Sequence, residues 1–253
     1  MIFDSHAHYD DRRYNDDREE TLQKVFDSGV SNIMNIGSNL ANSYNCAALA
    51  EKYEQIHAAV GVHPHDVYDT PEDTIEQLAE LLERPKVVAV GEIGLDYHYE
   101  NTIREAQQDW FRRQMRLAAD TDYPVVIHDR DAHQDSLNIT REFPCVKGVY
   151  HCYAGSAEMA QELIKLGYYI SFTGVITFKN ARKTLDVLST IPMDRLLVET
   201  DCPYLAPEPF RGKRNDSSYL PYTIQTIAEV KGISEEEVIR ITSDNAKVLF
   251  GIK

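Results

Sequence analysis

Only four cysteines occur in 253 residues, at Cys46, Cys145, Cys152 and Cys202, and no two form a CxxC pair. A chain of this length can bury a core without a disulfide framework, so reduced thiols are expected. No uninterrupted apolar stretch approaches the roughly 20 residues of a membrane helix, and no membrane association is expected. The opening MIFDSHAH lacks a basic n-region and an apolar h-region, so no signal peptide is expected and the cytoplasm is the default compartment. Low-complexity tracts, Gly/Ser linkers and long runs of like charge are also missing, and nothing marks a tail. Basic residues are scarce: 26 Lys and Arg against 41 Asp and Glu give a net charge of −15. That argues against a broad basic footprint for nucleic acid, but not against a site that takes phosphate through metal ions.

What the chain does have is a repeated pairing of a short apolar segment with an amphipathic one. Strand-like segments run over 1–7, 32–37, 56–63, 87–95, 124–128, 147–152, 168–173 and 195–200, several of them near-continuous β-branched runs of the kind covered on both faces. Helical spacing is read over 17–29, ending at Gly29, and over 71–84, with Thr70 as N-cap and Pro71 at N1. Further helices are read over 103–120, 156–166, 180–190, 221–231 and 234–249. Eight strands alternating with helices predict a (β/α)8 TIM barrel, and the length fits one domain over 1–253, with a monomer as the default state. An open doubly wound sheet is the alternative, but neither GxGxxG nor a P-loop supports it.

Six of the nine histidines fall at or just beyond the C-terminal ends of these strands: His6, His8, His63, His65, His128 and His151. Barrel enzymes build their active sites at that end. A single histidine there is ordinarily a hydrogen-bonded core or surface residue; six together are not accounted for that way. His6 and His8 form an HxH step whose side chains share one strand face. Asp201 ends the eighth strand, which neighbours the first in a closed barrel. Two imidazoles and a carboxylate suit a divalent cation with a position left open for water. Glu92, His128 and His151 end three consecutive strands and form a second group, and the two oxygens of Glu92 can bridge two ions. The competing reading pairs Glu92 with Arg130 in a rim salt bridge. No lysine stands at the C-terminal end of the fourth strand to be carbamylated, since Lys86 lies at the opposite end.

The ordered motifs DSHAHYDD (4–11), GVHPHD (61–66), GEIGLDYH (91–98), PVVIHDRDA (124–132), HCYAGS (151–156), SFTGVITFKN (171–180), ETDCPYLAP (199–207) and RGKRN (211–215) together resemble the TatD family of metal-dependent deoxyribonucleases. The resemblance spans essentially the whole chain. It implies that His6 and His8 hold one ion with Asp201, that Glu92 bridges two ions, and that His128 and His151 complete the second site. Asp201 would also activate the attacking water, and His63 would contact the scissile phosphate. It further implies cleavage of DNA, often 3′→5′ from single-stranded ends, with Mg2+ or a similar ion; histidine ligands also suit Mn2+ or Zn2+. Relatives that act on aminoacyl-tRNA leave hydrolysis of a carboxyl ester or amide as the alternative.

Lys179, Arg211, Lys213 and Arg214 are candidate contacts for flanking phosphates, and Tyr97, Tyr153, Tyr204 or Phe178 for a stacked base. Such an enzyme holds a short stretch of substrate through its metals, which fits the acidic charge. After RGKRN the chain reads Asp216-Ser217-Ser218 where the family often has Glu and Pro, which leaves contacts near that loop open. Cys152 and Cys202 each follow a ligand candidate directly and are expected to face away from the site.

Overall fold

A computed structural model describes residues 1–99 and 103–253. Its eight strands are β1 (Ile2–Ala7), β2 (Val30–Ile36), β3 (Ile56–Val60), β4 (Val87–Asp96), β5 (Val125–Arg130), β6 (Gly148–Tyr150), β7 (Tyr169–Phe172) and β8 (Leu196–Val198). Each pairs in parallel with the next, in the order 1 to 8. The ring closes just beyond β8, where a parallel bridge joins Ala7 to Cys202. Backbone bonds from His8 N to Cys202 O (2.8 Å) and from Asp201 N to His6 O (2.9 Å) seal the seam. The closed TIM barrel therefore stands and the open sheet does not.

The helices among the described residues are α1 (Arg18–Asp27), α2 (Leu40–Lys52), α3 (Thr74–Leu82), α4 (Arg104–Thr121), α5 (His133–Glu142), α6 (Ala157–Lys165), α7 (Arg182–Thr190), α8 (Leu220–Lys231) and α9 (Glu235–Phe250). Two of these, α2 and α5, lie outside the segments with helical spacing in the sequence. The core face of α2 is Ser43, Cys46, Ala47 and Ala50, and α5 buries Ser136 and Thr140 beside Leu137 and Ile139. Small and hydroxyl side chains occupy the helical spacing where larger apolar ones are sought. The start of α3 also differs from the sequence reading. Thr70 is no N-cap; its hydroxyl donates to Asp66 O and finishes the 3-10 turn Val67–Asp69, and the helix begins only at Thr74.

Inside the ring one apolar cluster draws on every strand, with Phe3, Met34, Val126, Tyr169 and Leu197 among its members. Phe250 of α9 packs beneath it, its ring 6.2 Å from that of Phe3, and plugs the N-terminal end. The larger cluster fills the layer between strands and helices. With one end plugged, the C-terminal mouth is the open one. No helix among the described residues is long and apolar enough to cross a membrane.

His57 on β3 is buried far from that mouth, and its Nδ1 has no partner. Burial pushes its pKa down to about 4, with Lys86 acting in the same direction. A histidine neutral in the fold is protonated first in the unfolded chain. Stability that is full above the ordinary value of about 6.5 therefore declines as pH falls toward about 4. The difference in melting temperature between wild type and His57→Gln should accordingly change between pH 7 and pH 4; a constant difference would reject this assignment.

Candidate two-metal centre

The mouth of the barrel is a cavity of about 760 Å3 whose wall includes His8, His63, Glu92, His128, His151 and Asp201. Local irregularities of the strands aim these groups. The β1–β2 register slips between Asp4 and Ala7, which breaks the alternation of β1 just where His6 must point inward. Along β4 the register passes from Gly91 opposite Val126 directly to Ile93 opposite Ile127, so Glu92 is the extra, bulged residue. The two glycines of GEIG are required by this approach. A Cβ on Gly91 would stand 2.7 Å from Val126 Cβ; one on Gly94, at φ +135°, would lie 2.0 Å from His128 O. A side chain at Gly94 would push β5, and with it His128, away from Glu92.

Two groups of donor atoms meet at Glu92. In the first, His6 Nε2 and His8 Nε2 lie 3.1 Å apart, with Glu92 Oε2 at 3.5 and 3.7 Å and Asp201 Oδ1 at 3.7 and 3.4 Å. In the second, His128 Nδ1 and His151 Nε2 lie 3.1 Å apart, each 2.8 Å from Glu92 Oε1. Each carboxylate oxygen of Glu92 thus serves one histidine pair.

The outer nitrogens decide what the inner ones offer. His8 Nδ1 donates to Ile36 O at 2.8 Å, leaving a lone pair on Nε2 directed at His6 Nε2. His128 Nε2 meets Asp96 Oδ2 at 3.1 Å and leaves its Nδ1 lone pair directed at His151. Asp96 also takes His65 Nε2 at 3.0 Å and the His98 amide. Glu199, fully buried, sits 3.3 Å behind His151 Nδ1, out of line for a good hydrogen bond, and is fixed by Ser171 and the Cys152 amide. Carboxylates standing behind imidazoles in this way orient and strengthen metal ligands.

His63 differs from the other histidines. Its Nδ1 accepts from the His65 amide at 3.1 Å, so in the neutral ring the proton is on Nε2, 3.7 Å from Glu92 Oε1. Burial holds it neutral, pushing its pKa down to about 3. It faces the centre as a hydrogen-bond donor.

The electrostatics show a site that calls for positive charge. Burial opposes ionisation of Glu92 and Asp201, but the surrounding histidines outweigh it and hold both below the usual carboxylate range. Burial opposes protonation of His8, yet Asp201, Glu92 and Asp10 carry its pKa up to about 9. The lone pairs of His8 Nε2 and His128 Nδ1, each 3.1 Å from a second imidazole nitrogen and beside ionised carboxylates, are placed to take a proton or a metal ion. The donor set fits divalent ions.

These placements bear on the sequence-derived residues one by one. His6, His8, Glu92, His128, His151, Asp201 and His63 come together. Lys179, Arg211, Lys213 and Arg214 are exposed and absent from the cavity wall: Arg211 lies over Phe178, Lys213 near Phe210, and Arg214 pairs with Asp17. Glu92 has histidine partners, whereas Arg130 lies over Tyr99. Cys202 is buried, but the expectation for Cys152 fails. β6 ends at Tyr150, the chain turns with φ +43° at Cys152, and this residue lines the cavity.

Asp4, Asp96 and Glu199 are the groups that the sequence reading passed over. Asp4 accepts from the Thr200 amide and hydroxyl and from the Ser217 hydroxyl, tying β1 to the chain beyond β8. Asn215 donates to the Thr200 and Tyr204 carbonyls, and Asp216 pairs with Lys24. The segment that departs from the family pattern is therefore occupied in holding the seam. A signal for Asp96 and Glu199 lies in the sequence: each is a second carboxylate at a strand end that already carries a ligand candidate, beside Glu92 in GEIGLD and Asp201 in LLVETD.

Comparison with known proteins agrees with this architecture. Residues 3–251 match the family described as TatD related DNase. A metal-dependent hydrolase of Bacillus subtilis, YabD, is 44% identical over the full length of both chains. The 3'-5' ssDNA/RNA exonuclease TatD of Escherichia coli is 34% identical over 99% of each. The crystal structure of YJJV, a TatD homologue from Escherichia coli, superposes with a TM-score of 0.94 at 32% identity, covering 100% of this chain and 98% of that one. The chain belongs to the TatD family and is a metal-dependent hydrolase.

Proposed function

We propose that the ester bond this hydrolase cleaves is a phosphodiester of DNA, taken 3′→5′ at single-stranded ends, and that two divalent ions serve the reaction. The observation that carries the reading is the sharing of Glu92, one oxygen to each of two histidine pairs 3.1 Å across. His6, His8, Asp201 and Glu92 would hold one ion; Glu92, His128 and His151 would hold the other. Ions bound there would neutralise charge on the phosphate oxygens and make water a nucleophile near neutral pH.

The side chains supply the remainder. Asp201, kept ionised by His8 and His6, takes the proton of the attacking water. His63 donates from Nε2 to a phosphate oxygen. Asp96 and Glu199 keep His128 and His151 turned inward. Lys179, Arg211 and Lys213, outside the cavity, meet phosphates beyond the cleaved one, while Arg214 is engaged with Asp17. The relative named as an ssDNA/RNA exonuclease supports a nucleic-acid substrate. The four free thiols suit the reducing cytoplasm.

The test is an activity matrix on chelator-treated protein, crossing Mg2+, Mn2+ and Zn2+ with a single-stranded oligonucleotide, a carboxyl ester, a D-aminoacyl-tRNA and an amide. Hydrolysis of the oligonucleotide that disappears with chelator and returns with metal is expected. Turnover of the ester, aminoacyl-tRNA or amide with none of the oligonucleotide would overturn the phosphodiester reading.

A further inference from the structure

Two half-exposed tyrosines stand in the cavity wall on different sides of the centre. Tyr204, 47% exposed, follows Asp201 after β8 and lies edge-on to His8, with ring centroids 6.4 Å apart. Tyr99, 52% exposed, follows β4 and lies edge-on to His65 at 5.1 Å, whose partner Asp96 also holds His128. One tyrosine thus neighbours the His6/His8 group and the other the His128/His151 group.

Both rings are held by neighbouring side chains. The Arg13 guanidinium stacks on Tyr204, 4.0 Å from the centroid, and Asp11 grips Arg13 through both oxygens at 2.9 Å. The backbone of Tyr204 is pinned by its amide to Asp201 O and by Asn215 to its carbonyl. Tyr99 is flanked by His65 and by His98, which is held by Asp131, with the Arg130 guanidinium 5.9 Å from the ring. Half-exposed tyrosine rings held in place in a cavity wall are platforms for flat groups.

The other candidates for stacking are used elsewhere. Tyr97, which bonds Asp135 and Gln108, and Phe178, under Arg211, are absent from the cavity wall, and Tyr153 is buried with its hydroxyl on Ser156 O. Charge offers little grip: among the described residues Arg130 is the only Lys or Arg in the cavity wall, against Asp10, Asp11, Asp66, Asp129 and the carboxylates of the centre. Beyond the ions, the wall has aromatic faces rather than cations to hold a nucleotide chain.

Resting on the phosphodiesterase reading, we propose that Tyr204 and Tyr99 each stack one nucleobase, on opposite sides of the scissile phosphate. The substrate is then gripped as a dinucleotide, with little preference among bases, because every base has a π-face. Neither tyrosine touches the reacting atoms; both set KM.

The experiment uses metal-loaded protein and thymidine dinucleotides in which a tetrahydrofuran residue replaces the nucleoside on one side of the phosphate, the other, or both. Tyr204→Ala is expected to raise KM for the intact dinucleotide about tenfold, with a smaller effect on kcat, and Tyr204→Phe to restore it. The alanine penalty should vanish when the base on one side is missing, and that of Tyr99→Ala when the base on the other side is missing. An equal penalty on intact and doubly abasic substrates, or on the same side for both tyrosines, would overturn the proposal. Failure of the phosphodiesterase reading is separable, because wild type would then cleave none of the four. Equilibrium binding of the labelled dinucleotides still reads the platforms in that case, and affinity independent of the bases would reject them.

Discussion

Glu92→Gln is expected to fold as wild type does and to lose at least about 1,000-fold in kcat/KM on a single-stranded oligonucleotide, a barrier rise of about 4 kcal/mol. The carboxylate is the one side chain common to both donor groups, with Oε2 facing His6 and His8 and Oε1 facing His128 and His151. An amide keeps the shape but has one acceptor oxygen, and its NH2 can only donate, so one of the two groups loses its anionic oxygen. Retention of the fold should be visible by circular dichroism, since neither the seam at Ala7 and Cys202 nor the plug at Phe250 depends on this side chain. Metal analysis after gel filtration should show the loss of at least one ion per chain. Turnover at the parental rate would remove Glu92 from the reaction.

Asp201→Asn is expected to lower kcat by about 100- to 10,000-fold, the range of a lost general base, while leaving the His128/His151 group intact. Asparagine would keep an oxygen for an ion at the His6/His8 group but could not accept a proton from water. The pH profile separates the two contributions. Because His8 and His6 hold Asp201 below the usual carboxylate range, its own protonation cannot set the acid limb near neutrality. Metal and proton compete for the histidines instead, and His8, drawn up to about 9 in the metal-free site by its carboxylate neighbours against the effect of burial, is protonated below that pH. Metal affinity of chelator-treated wild type should therefore rise with pH toward about 9 and fall in acid. A flat affinity between pH 6 and pH 9 would contradict the ligand assignment of His8.

The sequence disclosed the barrel because β-branched runs and C-terminal histidines repeat with the regularity that parallel strands require. It disclosed less where a side chain's role depends on a neighbour distant in the chain. Asp4 answers to Thr200 and Ser217, and no local period signals it; Asp96 is marked by its place at a strand end, but its partners His65 and His128 are not. The bulge at Glu92 follows from how tightly β4 meets β5 over Gly91 and Gly94, a packing fact that alternation along one strand cannot reveal. Helices α2 and α5 escaped for the opposite reason, since Ser43, Ser136 and Thr140 stand on core faces that an apolar count reads as solvent. Cys152 was misread because strand alternation was extended two residues past the end of β6.

The most direct test of the two-ion centre is a calorimetric titration of chelator-treated protein with Mn2+ at pH 8, followed in parallel by oligonucleotide hydrolysis. Two ions per chain, with hydrolysis emerging as the second one binds and only a single ion retained in Glu92→Gln, is the predicted result. Full activity at one ion per chain, or two ions still bound after Glu92 is neutralised, would contradict it.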